Sequence, residues 1–283
     1  MPTAQEMLKK FNDTKTLPHV AFRLAQLISN ENTRISEFEK MIKMDPTLVV
    51  RLLRVVNSPY YGLRRKVDSI SRAVVVIGMK SLRNIVVTTG IKEVFAKGPN
   101  EEIFSRAQLW LHCAAVGICS QMISERIFGR AGDDAYLCGI LHDIGIIVED
   151  QVAQDLFVQV CQNYTPNAKP FVKYEKETIG TDHCEIGHLL ALQWNLPADV
   201  QDGIKDHHKT EGEILPSSLT GIVQTADYIV SRLNYKAIPE MQLNLSKDLG
   251  IYIRDNMEEF KAMTKDLPDE LLKAKELYES EEG

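Results

Sequence analysis

Apolar residues recur every three to four positions along nearly the whole chain, the spacing that lines one face of an α-helix. Val20, Phe22, Leu24, Leu27 and Ile28 form a first stripe after Pro18, and Ile35, Phe38, Met41 and Ile42 form a second, with Ser36 near its start. Asp45-Pro46 opens a third helix, because Asp suits an N-cap and Pro the first helical position. Its apolar face is Leu48, Val49, Leu52, Leu53 and Val56. The turn formers Asn57 to Gly62 follow. Ser69 is placed to cap a helix running to Gly78, and Ser81 to cap another over 82–94. Val74-Val75-Val76 alone would suit a strand, but the flanking period and the lack of a hairpin partner favour helix.

Lys97-Gly98-Pro99-Asn100 reads as a linker. Beyond it the pattern predicts one long helix over 104–128, a break at Gly129 to Gly132, and a helix over 135–147 capped by Asp133 or Asp134. A helical pattern over 157–164, a turn over 166–170, a helix over 182–194 capped by Thr181, and another over 198–208 come next. A loop over 211–216 leads to a helix over 219–233, then to a charged helical stretch over 247–281 split at Pro268. The expected fold class is all-α. The expected parts are an N-terminal helical bundle (1–97), a second helical bundle (101–235) and a C-terminal helical extension (236–283).

Composition adds three constraints. With 44% hydrophobic and 25% charged residues, the 283-residue chain is of the folded, globular kind. The opening segment, residues 1–13, has no apolar core of a signal peptide. The most apolar stretch, 73–90, is interrupted by Lys80 and Arg83, whereas a membrane span needs roughly 18–20 uninterrupted residues. The expectation is a cytoplasmic protein with no membrane association. Five cysteines, an odd number without a CxxC pair, point to reduced thiols. Cys113 and Cys184 each directly follow a histidine; a thiolate ligand is one reading, and a small buried hydrophobe is the favoured one.

The net charge of −6 is unevenly spread: residues 1–100 hold 17 Lys+Arg against 8 Asp+Glu, and the remainder 16 against 31. Arg51, Arg54, Arg64, Arg65, Lys66, Arg72, Lys80 and Arg83 form a basic cluster. Such a cluster suits nucleic acid. No aromatic stacking strip accompanies it, so attraction between the two halves of the protein is the favoured reading.

Only seven histidines occur, and five of them join aspartates in one pattern: His112, His142-Asp143, His183, His207-His208 and Asp227, each on a predicted helix. The apolar neighbours Leu141, Ile144 and Ile147 place the His142-Asp143 pair at a partly buried helix surface, and a carboxylate buried without a partner needs a cation or good donors. A divalent ion explains the set: imidazoles and carboxylates from several helices converging inward. His188, near His183 on the same helix, and His19 are left out of the set.

These segments resemble known ones. LWLHCAAVG around His112, LCGILHDIGIIV around His142-Asp143, GTDHCEIGHLLALQWNLP around His183, IKDHHK around His207-His208 and QTADYIV around Asp227 are similar to the HD superfamily of metal-dependent phosphohydrolases. LPHV from Leu17, MDPTLVVRLLRVVNSPYYG (44–62) and SISRAVVVIGMKSLRN (69–84) resemble the N-terminal part of HDOD domains. The resemblance implies an N-terminal helical bundle joined to an HD-like bundle, in a bacterial signal-transduction or regulatory module. It implies one or two divalent ions, whether iron, zinc, manganese or nickel. His112, His142, Asp143 and Asp227 would hold one, and Asp143, His183, His207 and His208 the other. A signalling protein or a small phosphorylated ligand is the implied partner. A metal-dependent phosphohydrolase is the alternative, with Asp143 orienting water and Lys209 approaching phosphate; a nucleic-acid-linked regulator is a third. HD-GYP phosphodiesterases carry a lysine after the HDIG segment and a glutamate after the paired histidines. Here Ile146 and Lys209 stand there, which argues against cyclic di-GMP hydrolysis.

Overall fold

The computed structural model describes residues 2–13, 42, 46–58, 61–95, 98 and 102–279, and among them every regular element is a helix. The stripes expected at 20–28 and 35–41, His19, and all of the 97–100 linker but Gly98 lie outside the described residues. Helix α1 (Ala4–Asp13) buries Ala4, Met7, Leu8 and Phe11. Its first turn is a reciprocal cap: Glu6 N donates to Thr3 Oγ1 at 3.2 Å, and Thr3 N to the Glu6 carboxylate at 2.8 Å.

Helix α2 (Pro46–Val56) starts at the proline, as expected. The Asn57 side chain then pins the following loop: its amide donates to Leu53 O and Val67 O and its oxygen accepts from Val67 N, each at 2.7 Å. Helix α3 (Ile70–Ile77) ends at Gly78, whose φ of +83° suits glycine. Helix α4 (Met79–Lys92) follows at once, at 116° to α3. Ser81 therefore sits inside the first turn of α4 and does not cap it; its hydroxyl donates to Asp133 at 2.7 Å. The apolar stretch 73–90 is thus two bent helices, and no single helix among the described residues is long and apolar enough to cross a membrane.

The second half is built on α5 (Arg106–Met122), which is buried almost all round and so lies at the centre. Ser105 caps it by accepting from Gln108 N at 3.4 Å. The expected 104–128 helix changes winding at its end, where Ile123–Ile127 form a wider π turn. The helix expected over 135–147 is two, α6 (Asp133–Leu141) and α7 (Ile144–Val152), with His142-Asp143 at the break. The physical reason is local. The His142 ring donates from Nδ1 to Gly139 O at 2.7 Å, occupying the carbonyl that the Asp143 amide would use in a continuous helix. Asp143 leaves helical geometry, at φ −98° and ψ 11°.

Helices α8 (Gln154–Asn163) and α9 (Phe171–Thr178) come next; α9 was not anticipated, because its exposed faces are too polar to show a stripe. Helix α10 (His183–Gln193) is capped by Asp182, which accepts from Glu185 N at 2.8 Å, and not by Thr181, whose hydroxyl donates to the Glu185 side chain. Helices α11 (Ala198–Asp206) and α12 (Leu219–Arg232) follow. The C-terminal stretch divides at Asn256, between α13 (Lys247–Asp255) and α14 (Met257–Glu279). Pro268 lies inside α14 and does not split the stretch.

Packing brings α5, α6 and α12 together, and α10 against α7 and α11; α1 lies on α7 and α10. Two close approaches need glycine. A Cβ on Gly139 would stand 2.8 Å from the Gly117 Cα of α5, and one on Gly145 would collide with the His183 carbonyl of α10. Helices α4 and α6 are joined by charge. Fully buried Arg83 meets Asp134 at 2.6 Å and Lys80 meets it at 2.7 Å, so these two members of the basic cluster face acid within the chain.

Candidate metal centre

Four imidazoles share one arrangement. His142 Nδ1 lies 2.7 Å from Gly139 O, His207 Nδ1 2.7 Å from Ile204 O, and His112 Nδ1 2.7 Å from Tyr235 O. A carbonyl oxygen only accepts, so each Nδ1 carries the hydrogen and donates. His183 Nδ1 faces the Glu175 carboxylate at 2.7 and 2.8 Å and donates likewise. In the neutral ring this leaves every Nε2 a bare lone pair, and the four point inward. His112 Nε2 stands 3.3 Å from His142 Nε2, and His183 Nε2 stands 3.3 Å from His207 Nε2. Two lone pairs at that distance repel unless a cation lies between them.

Asp143 connects the two pairs. Its Oδ2 is 3.2 Å from His142 Nε2 and 3.5 Å from His112 Nε2, while its Oδ1 is 3.4 Å from both His183 Nε2 and His207 Nε2. Asp227, from α12, brings Oδ1 to 3.2 Å from His112 Nε2 and is steadied by Ser231 one turn on. Asp143 is 1% exposed, and its Oδ1 makes no hydrogen bond. Such an oxygen is costly to bury.

The residues present fit a divalent ion. Ligands ~2.0–2.1 Å from one tetrahedral centre lie ~3.4 Å apart, the range the nitrogen and oxygen donors occupy here. His112, His142 and Asp227 form one group able to hold an ion. His183, Cys184, His207 and His208 form another, with donors all within 4.8 Å of one another. His112, His142, His183 and His207 also each have the outer hydrogen bond that would fix a metal-bound ring.

The electrostatics carry the same imprint. Burial works to lower the His112 pKa, but Asp143 and Asp227 prevail and raise it to about 10. Burial likewise opposes His207, yet Cys184 and Asp143 hold it at about 10. His183 is raised well above the ordinary value against its burial, chiefly by Cys184 and Glu175. Burial would raise Asp143, but His142, His112 and His207 hold its carboxyl well below the usual range. His208 is pushed well below the ordinary value by burial and then by its cationic neighbours His207 and His183. A cluster of this kind takes up cations, protons or metal.

Of the residues singled out in the sequence, His112, His142, Asp143, His183, His207 and Asp227 come together around Asp143. His208 is half-buried, its ring 4.1 Å from that of His207 and 5.0 Å from that of His183. Lys209 is not among the converging groups: its side chain is 54% exposed and its ammonium lies 3.8 Å from Asp206. His188 is engaged outside the centre, with Nδ1 3.3 Å from Gln201 O. One residue was missed: Glu175 sits on the unanticipated helix α9. Cys184 is buried, as its favoured reading expected, and places Sγ 3.6 Å from His183 Nε2 and 3.9 Å from His207 Nε2.

Fold and site together define an all-helical protein organised around a buried histidine–aspartate centre. The HDOD domain model matches residues 15–210, and the chain belongs to the HDOD family. A curated protein of Treponema pallidum (strain Nichols), itself uncharacterized, is 28% identical over 250 residues, which make up 85% of this chain and 47% of that protein. The chain therefore spans about half the length of that relative. Among solved structures, an HDOD domain protein of unknown function from Geobacter sulfurreducens superposes with a TM-score of 0.75 at 24% identity, covering 96% of this chain and 97% of the other. A candidate phosphohydrolase of Shewanella amazonensis SB2B gives 0.69 at 24% identity, covering 96% and 97%. A candidate signal-transduction protein of Marinobacter aquaeolei VT8 gives 0.67 at 18% identity, covering 92% and 59%. These structural likenesses are likenesses of fold.

Proposed function

We propose that this HDOD protein is a regulatory module whose second half holds two divalent ions bridged by Asp143, and that the centre binds a small phosphorylated ligand. One observation carries the reading: four Nδ1-anchored imidazoles direct bare Nε2 atoms at the two oxygens of one buried carboxylate. His112, His142 and Asp227 would complete one position; His183, His207 and His208 would complete the other. Divalent ions supply Lewis-acid charge to a phosphoryl oxygen and acidify water. The chain's own groups keep the imidazoles in the ligating tautomer, through three backbone carbonyls and Glu175, and keep the carboxylate ionised.

Phosphoester hydrolysis is the second reading, favoured by the shared Asp143, since a carboxylate facing two positions is the arrangement that two-ion hydrolases use. Solved structures of similar fold include candidate phosphohydrolases, one of them described as metal-dependent. Elemental analysis of protein purified without added metal, joined to a phosphomonoester and phosphodiester panel, separates the two. Bound metal and ligand without turnover supports the regulatory module. Phosphate release abolished in Asp143→Ala supports the hydrolase. Protein lacking metal and unable to take it up would sink both.

A further inference from the structure

We propose that Cys184 is a thiolate ligand of the ion position formed by His183 and His207, which makes that position selective for a thiophilic divalent ion, zinc or ferrous iron, over magnesium or manganese. The proposal rests on the two-ion reading above and amends it: Cys184 takes the fourth tetrahedral place beside His183, His207 and Asp143, the place given above to His208, and so sets the class of metal. Geometry carries it. For a tetrahedral ion with a metal–sulfur bond of ~2.3 Å and a metal–nitrogen bond of ~2.0–2.1 Å, sulfur and nitrogen ligands lie ~3.6 Å apart. Cys184 Sγ is 3.6 Å from one imidazole nitrogen and 3.9 Å from the other. A second observation at the same position is independent of sulfur: buried Asp143 Oδ1, 3.4 Å from the same two nitrogens, has no hydrogen bond.

Local structure favours the anion. Cys184 is the second residue of α10, within the first turn, where unpaired backbone N–H groups and the helix dipole stabilise a thiolate. Cys113 is the internal control: it too directly follows one of the clustered histidines, but it lies within reach of His142 and Asp143 and not of the His183–His207 pair. Ligation is a simple exchange: the S–H proton leaves to solvent as the sulfur–metal bond forms, with no change of oxidation state. A thiolate beside two imidazoles suits zinc and ferrous iron, while magnesium and manganese prefer oxygen.

The test uses the full chain, stripped by chelation under reducing conditions and reloaded with cobalt(II). Visible ligand-field bands report any ion in the centre; a near-ultraviolet thiolate-to-cobalt charge-transfer band reports sulfur. The expected wild-type spectrum has both. Cys184→Ser is expected to lose the charge-transfer band and keep the visible ones, and Cys113→Ser to keep both. Zinc X-ray absorption on the unaltered protein guards against a misfolded variant, with a sulfur shell expected at ~2.3 Å. Visible bands without charge transfer in wild type, a charge-transfer band surviving in Cys184→Ser, or a zinc shell of nitrogen and oxygen alone would overturn the Cys184 assignment while leaving the two-ion centre standing. Absence of every cobalt band would remove both.

Discussion

At the residue scale, Asp143 is the single group common to both halves of the centre. Replacing it with alanine deletes the oxygen facing each imidazole pair and the negative charge that offsets their protons. Asp143→Ala is expected to drop metal content from stoichiometric to background while helical circular dichroism stays intact. Retention of the full metal complement in that variant counts against the assignment. Glu175 acts one step away, through the Nδ1–H of His183. Glu175→Gln keeps an acceptor and removes the charge that makes the imidazole a better ligand, and losses of this kind run to about 10–100-fold in affinity. In a competition titration with a chromogenic chelator, the weaker phase should belong to the His183 position alone. If both phases weaken equally, Glu175 is not specific to His183.

At the element scale, the centre exists because helices cross very closely. Gly139 is a close contact between α5, which carries His112, and α6, which ends directly before His142. An alanine there meets only backbone, with Val116 O and Gly117 Cα both at 2.8 Å, so the helices themselves must part. Gly139→Ala is expected to cost about 1–3 kcal/mol, as overpacking does, and to weaken metal uptake. Gly250→Ala, with nothing within 4 Å of the added methyl, serves as the helical control. Equal denaturation midpoints for the two variants would refute the close-crossing argument. The same scale explains what could be read in the sequence. Periodicity reveals helices with one apolar face, so α2, α3 and α12 were legible, and so was the histidine–aspartate cluster that converges on Asp143, because histidine and aspartate are rare in apolar stretches. It does not reveal where side chains interrupt a helix. His142 capturing the Gly139 carbonyl splits the expected 135–147 helix. Polar α9 has too little apolar stripe to show, and with it Glu175 stayed hidden. Pro268, a breaker by rule, is accommodated inside α14 while Asn256 makes the break.

At the scale of the whole molecule, the centre couples stability, pH and metal. In the metal-free protein His112 and His207 have pKa values raised from 6.5 to about 10. A raised value means that the folded state binds the proton more tightly than the unfolded chain does. The stabilisation is therefore complete below about pH 6.5 and is lost as pH rises toward 10. Buried Glu149 adds the same sign: burial, then Glu175, push its carboxyl well above the usual range, so it too destabilises the fold as pH rises. A bound ion replaces the protons on Nε2 and removes the histidine part of that dependence, and fewer protons then compete for the site. The rise in thermal midpoint on adding metal should accordingly grow between pH 6 and pH 8.5. Paired melts with zinc and with chelator measure this directly. A metal-induced shift that stays constant or shrinks over that range would mean that the ion binds somewhere other than on these imidazoles.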